Sequence, residues 1–434
     1  MPHRLNARAA GFEAAFEAFL AVKRGTEADV ARVVDGILAD LRARGDAALI
    51  ENTERFDRIR LTPETLRISE HEIAEAAARC PPEVVAALEL AARRIEAYHR
   101  HQLPEDLDYT DAAGLRLGHR WTPVAAAGLY VPGGTAAYPS SVLMNALPAK
   151  VAGVARRVMV VPTPDGALNP AVMAAARLAG IDEAYRIGGA QAIGALAYGT
   201  GTIRAVDKIV GPGNAYVAAA KRQVFGTVGI DSVAGPSEVL VVADGANDPA
   251  WIAADLLAQA EHDTVAQSIL MTDDAEFAEA VVGAVDSLLA GLERRDIAGA
   301  SWSAHGAIIL LPDLAAAPAL IDRIAPEHLE LAVAEPDALA ARVRNAGAIF
   351  LGRHAPEALG DYLAGPNHVL PTGRTARFSS GLSVLDFMKR SSLIGCTPEA
   401  LNALGPAVVT LARAEGLGAH ALSVAIRLDD GQGD

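Results

Sequence analysis

A strand, a glycine turn and a helix follow one another repeatedly through the middle of the chain, and this order restricts the fold more than any other feature. V-M-V-V-P-T-P (158–164) is an apolar run leading into the helical N-P-A-V-M-A-A-A-R-L-A-G (169–180). Y-R-I-G-G (185–189) opens into A-Q-A-I-G-A-L-A-Y, and D-K-I-V-G-P-G-N (207–214) into A-Y-V-A-A-A-K-R. Short apolar runs without polar alternation are strands covered on both faces, and a helix between each pair makes them parallel. A second series repeats the pattern. W-I-A-A-D-L-L-A-Q-A-E-H (251–262) and residues 275–292 are helical, and S-I-L-M-T (268–272) and A-I-I-L-L-P (307–312) are strands. A further helix runs from about 314 toward Glu327, and G-A-I-F-L-G (347–352) is another strand.

The spacing predicts an α/β protein of two Rossmann-like parallel units, with an N-terminal helix and a small helical C-terminal domain. At 434 residues more than one core is expected. The expected division is an arm over 1–25, a first α/β domain from 26–120 plus 236–381, an inserted second one over 121–235, and a tail over 382–434. In the arm Phe12, Phe16 and Phe19 recur at helical spacing while Glu13 and Glu17 interrupt the run, which describes an amphipathic helix and not a secretory signal. Residues 26–110 read as helical; His99 and His101 there are two apart, point to different helix faces and are read as a solvated helix end.

Charge narrows the partners. A net charge of −15 argues against nucleic acid or an anionic membrane, and no apolar run has the length of a membrane span. Two cysteines, Cys80 and Cys396, form no zinc motif and no disulfide framework, so a cytoplasmic location is expected. Neither has an evident base beside it in sequence, which disfavours a thiol nucleophile.

The chemistry-bearing residues are scattered. G-P-G-N (211–214) follows a strand and opens a helix, so its backbone N–H groups can receive an anion, but Tyr216 stands where a dinucleotide fingerprint has its third glycine. G-L-Y-V-P-G-G-T-A-A-Y-P-S-S (128–141) sets Tyr130 before Pro132, Gly133 and Gly134, a turn that lets a ligand approach backbone or simply closes a loop. Gln259 and His262 share a helix face and suit either a metal or a hydrogen-bonded surface. The long polar loop 360–382 supplies Asp361 and His368, and A-E-G-L-G-A-H-A-L-S-V (414–424) supplies Glu415 and His420. In A-P-E-H-L-E-L (325–331) Glu327 abuts His328; with Ala332 four residues after His328 this is no zinc-protease helix, and a helix end entering a strand favours acid–base work.

Taken together these segments resemble the histidinol dehydrogenase family over about residues 10–430. G-L-Y-V-P-G-G, G-G-A-Q-A-I, K-I-V-G-P-G-N, D-S-V-A-G-P-S-E-V-L, Q-A-E-H-D, P-E-H-L-E, G-D-Y-L-A-G-P-N-H-V-L-P-T and A-H-A-L-S-V all look like that family's motifs, in its order. The resemblance implies a four-electron, NAD-dependent oxidation of L-histidinol through the aldehyde to L-histidine, the last step of histidine biosynthesis. It implies one Zn2+ per subunit held by Gln259, His262, Asp361 and His420, and Glu327 and His328 as catalytic acid–base residues. It implies substrate contacts from Ser237, His328, His368 and Glu415 alongside the metal ligands, and NAD contacts from Tyr130, Gln191 and Asn214. It also implies an intertwined homodimer, with 121–235 on the NAD side and the 382–434 tail carrying a zinc ligand to its partner. The alternatives are a related zinc- and NAD-dependent enzyme acting on another small polyol, such as a sulfonated propanediol, a non-catalytic zinc-binding scaffold, and a zinc hydrolase. Retention of His368 and Glu415 favours histidinol over the polyol.

Overall fold

The computed structural model describes residues 2–22, 27–133 and 138–428. One six-stranded sheet holds β5 (Ala126–Tyr130), β6 (Arg156–Val160), β7 (Glu183–Tyr185), β8 (Lys208–Val210) and β9 (Gly229–Ile230), all parallel, with β2 (Arg67–Ile68) antiparallel at its edge. Its order is β2-β7-β6-β5-β8-β9. The chain moves outward from β5 to β6 and β7, then crosses to the far side of β5 for β8 and β9. Strand order therefore reverses between β5 and β8, and the crevice at the carboxyl ends of two such strands is where open α/β sheets take ligands.

The second six-stranded sheet repeats this plan. It holds β1 (His3–Asn6), β10 (Glu238–Ala243), β11 (Gln267–Thr272), β12 (Ala307–Leu310), β13 (His328–Ala332) and β14 (Ala348–Leu351), all parallel, in the order β1-β12-β11-β10-β13-β14. Residues 231–237 lead from the carboxyl end of β9 to the amino end of β10, so the two sheets meet with opposite ends of their strands. A third, antiparallel sheet joins β3 (Leu107–Thr110), β4 (Arg116–Pro123) and β15 (Met388–Gly395). The C-terminal piece thus carries a strand before its helices Pro398–Ala414 and Gly418–Ala425.

Alternation along the strands explains the layers. Ala127 and Leu129 point to one face of the first sheet, Ala126 and Tyr130 to the other. The helices of residues 27–100 cover both faces, contrary to the expectation that joined 26–120 to the 236–381 sheet. Leu38, Leu41 and Leu49 pack beside Val158 and Ile193, while Leu88, Ala91 and Ile95 pack beside Leu129 and Met159. A parallel sheet needs helices on both faces, and the β3–β4 hairpin hands these helices directly to β5. The second sheet keeps its own cover: Ile252, Leu256 and Val281 on one face, and Phe16, Leu320 and Ile321 on the other. Phe16 therefore docks the amphipathic arm on its own chain, with Arg323 over its ring at 4.6 Å. Among the described residues no helix is long and apolar enough to cross a membrane.

Candidate active site

Glu327 and His328 sit where the helix Ala317–Ile324 turns into β13. The turn is made by Ala325 in left-handed geometry (φ 49°, ψ 60°), a conformation that costs a residue with a Cβ about 1 kcal/mol. It brings both side chains to the amino end of the second sheet, next to the start of β10. There the Glu238 N–H donates to Glu327 Oε2 at 2.9 Å. The Glu238 carbonyl lies 3.2 Å from His328 Nδ1.

That carbonyl decides the tautomer. It can only accept, so Nδ1 carries the proton and Nε2 keeps its lone pair. Among the described residues Nε2 has no hydrogen-bond partner, and Asp361 Oδ1 is 3.9 Å away. Burial pushes the imidazole down to about 3, against the pull of the Glu238 carbonyl. His328 is thus neutral at physiological pH, as a base must be before it accepts a proton.

Carboxylates surround the ring. Glu327 Oε2 is 3.9 Å and Glu357 Oε1 3.5 Å from Nδ1. Glu357 is buried, its N–H donates to Glu330 Oε1 at 2.6 Å, and burial raises both carboxyls well above the ordinary range. Asp255, hydrogen-bonded to Glu330, is pushed up to about 6, chiefly by burial. None of Asp255, Glu330 and Glu357 was expected from the sequence. Two signals could have found them. Glu330 is two after His328 on a strand, hence on the same face, and Glu357 is four before Asp361 on one helix.

A group of side chains that could hold a metal ion lies beside the imidazole. His262, Glu357 and Asp361 bring ligand atoms within 4.8 Å of one another. Gln259, fully buried on the last turn of the helix Pro249–Ala260, has no hydrogen-bond partner at either amide atom among the described residues. A buried amide orphaned one turn before His262 is a costly arrangement unless something else engages it. Nitrogen and carboxylate donors around an amide oxygen fit a zinc-like cation. His368 lies against the same group: its Nδ1 is 3.0 Å from the Asp361 carbonyl, its Nε2 is 3.4 Å from Ser141 Oγ, and burial lowers it to about 4. Ser237 ends the 231–237 link, immediately before Glu238. Glu415 and His420 remain exposed on the C-terminal helices and are absent from the ligand cluster found among the described residues.

The three residues expected at the nucleotide end also share one edge. Tyr130 closes β5, Gln191 lies in the first turn of Gly189–Tyr198, and Asn214 caps Ala215–Val224 by accepting from the Tyr216 and Val217 N–H groups. Tyr130 Oη accepts from the Gly189 N–H at 3.1 Å, joining two of these loops. Tyr130 and Gln191 are themselves buried in this structure. Gly134 of the 128–141 turn lies outside the described residues.

The reading of His99 as a solvated helix end is corrected. His99 is fully buried, 3.4 Å from Asn367 Nδ2, which in turn donates to the Met144 carbonyl at 2.6 Å. The helix that carries it packs under the 360–382 loop, which sequence periodicity alone does not reveal. Cys80 is buried and Cys396 exposed; both are free.

Two mainly parallel sheets, a strand-order reversal in each, and a group of neutral imidazoles and carboxylates with a cation-sized ligand cluster define an α/β protein with a candidate active site between its sheets. Comparison with known proteins makes this specific. The family model described as histidinol dehydrogenase matches residues 21–428. A histidinol dehydrogenase of Rhodospirillum rubrum is 68% identical, covering 99% of this chain and 100% of that one. One from Rhizobium meliloti is 63% identical over the full length of both. The crystal structure of histidinol dehydrogenase from Elizabethkingia anophelis superposes with a TM-score of 0.93 at 36% identity, covering 98% of each chain. The chain belongs to the histidinol dehydrogenase family, and so to the oxidoreductases.

Proposed function

We propose that this chain oxidises L-histidinol through L-histidinaldehyde to L-histidine, the last step of histidine biosynthesis, with NAD as acceptor and one zinc ion per subunit. The observation that carries the reading is His328 Nε2: a buried, neutral, unengaged imidazole nitrogen facing the metal-ligand cluster. Gln259, His262 and Asp361 would hold zinc, with His420 of the partner subunit completing the set. Tyr130, Gln191 and Asn214 would meet NAD at the β5–β8 crevice. When bound, NAD would accept one hydride in each oxidation, and zinc would supply a Lewis-acidic anchor for the substrate's nitrogens.

His328 takes the hydroxyl proton at Nε2 as hydride leaves the carbinol carbon. Its Nδ1–H stays bonded to the Glu238 carbonyl, so the ring does not turn as it gains charge. The carboxylates of Glu327 and Asp361, each 3.9 Å from a ring nitrogen, favour the imidazolium once formed. The second oxidation requires water to add to the aldehyde. Glu327, fixed by the Glu238 N–H, takes that water's proton while the His328 imidazolium returns its own to the aldehyde oxygen; the resulting diol then loses its one carbon-bound hydrogen as hydride while His328, neutral again, takes a hydroxyl proton. Ser237 and His368 would orient the substrate's polar groups, joined by Glu415 of the partner subunit. The chain would act as a cytoplasmic homodimer with shared sites.

NADH absorbance tests the proposal. Zinc-loaded protein with L-histidinol and NAD produces NADH, metal-stripped protein does not, and added zinc restores it. Folded, zinc-loaded protein that forms no NADH would overturn the histidinol assignment.

A further inference from the structure

A buried ion pair lies beneath the nucleotide edge and takes no part in the chemistry above. Lys221 reaches Asp231, and their side chains are 2% and 4% exposed. The pair brackets one residue. Lys221 Nζ donates to the Gly211 carbonyl at 3.0 Å, and the Gly211 N–H donates to Asp231 Oδ2 at 2.8 Å. Both polar groups of the first residue in G-P-G-N are thus held by opposite buried charges. Gly211 has φ +114°, and a Cβ there would stand 2.2 Å from the Tyr130 carbonyl and 2.8 Å from Asn145 Nδ2. Only glycine tolerates that backbone and that approach. The turn is therefore pressed against the end of β5 at the point where strand order reverses.

The pair also joins two elements that sequence separates. Lys221 lies two turns inside Ala215–Val224, and helical side chains lean toward the helix N-terminus, which lets its ammonium reach back to the turn. Asp231 follows β9 and accepts from the Ser232 N–H through Oδ1 at 2.6 Å, fixing the first bend of the link that ends at Ser237 and Glu238. One pair thus sets the nucleotide turn and the start of the segment that supports Glu327. A wholly desolvated pair is poor evidence of stabilisation, since apolar replacements often serve as well. Its geometric use is the better account here.

We propose that Lys221 and Asp231 are positioning residues for the nicotinamide cofactor, holding the G-P-G-N turn in its bound shape before NAD arrives. The inference rests on the NAD reading above and goes beyond it by assigning preorganisation to two residues that do not touch substrate.

The test compares wild type with K221M and with K221M/D231N, which removes both charges and leaves no lone buried carboxylate. Calorimetry gives the NAD dissociation constant, a chromophoric chelator gives zinc affinity, and thermal unfolding gives stability. In K221M the NAD constant rises about tenfold or more, because the turn must now be ordered on binding, while zinc affinity and KM for L-histidinol stay within about twofold. K221M/D231N regains the wild-type thermal midpoint but not the NAD affinity, a split that a merely structural pair does not produce. Should K221M fail to fold, the double variant alone decides the matter. A double variant that binds NAD as tightly as wild type overturns the proposal. Wild-type protein that binds no NAD overturns the nucleotide reading, and the proposed positioning role with it.

Discussion

His328 is the proposed base, and that role makes a defined prediction. H328Q keeps the shape of the side chain and removes the basic nitrogen; kcat is expected to fall by about 100- to 10,000-fold, the usual worth of a positioned general base. Zinc content and NAD affinity should be unchanged by the same chelator and calorimetric assays, and a kcat within about threefold of wild type would remove His328 from the role. His99 makes a second prediction, on stability. Burial lowers it to about 4 from the ordinary 6.5. Between those values the unfolded chain binds a proton on His99 that the folded chain does not, so stability falls as pH drops through this window and the group adds no slope below it. The full effect is on the order of 3 kcal/mol. Urea midpoints measured between pH 7 and 4 should fall less steeply for H99N than for wild type; parallel curves would mean that the buried imidazole is not the group responsible. At this scale the sequence was informative where side chains form local pairs, as with Glu327–His328 and Gln259–His262. It was silent on His99, whose partner Asn367 is brought close only by tertiary packing.

At the scale of elements, the site depends on β13 and β14 lying close together. Gly347 immediately precedes β14; its N–H donates to the Pro326 carbonyl at 2.9 Å, and a Cβ on it would stand 2.5 Å from the Glu327 carbonyl. G347A must therefore push the strands apart or displace Glu327. A loss of about 1–3 kcal/mol is expected by urea unfolding, the cost of overpacking a close contact, together with a fall in kcat. Unchanged stability and kcat would show that the strand start has room to spare. The parallel strands themselves were legible, because V-M-V-V and S-I-L-M-T have no polar alternation and each is followed by a helix. Where the helices dock was less legible. An amphipathic helix records that it has an apolar face, not which sheet covers it, so residues 27–100 were assigned to the wrong sheet. The edge strand β1 was missed for a related reason: H-R-L-N is four residues long and mostly exposed, with too little pattern to announce itself.

For the whole molecule, the chain by itself gathers Gln259, His262, Asp361, Glu327, His328 and His368 into one region, while Glu415 and His420 stay out on the exposed C-terminal helices. Leu411, Leu422 and Ile426 on the same helices are also exposed, an apolar surface suited to a second copy. A shared site predicts complementation between dead variants. In a twofold dimer of H328Q with H420N, one site combines both defects and the other is intact, so random reassembly of equal amounts should restore about a quarter of wild-type activity. Mixtures that stay inactive, although heterodimers form by mass spectrometry, would contradict the exchange of tails. The most direct test of the proposed reaction is its stoichiometry. With L-histidinol limiting and NAD in excess, two NADH should form per histidinol consumed, with L-histidine as the product. One NADH per histidinol, with aldehyde accumulating, would contradict the assignment of both oxidations to a single site.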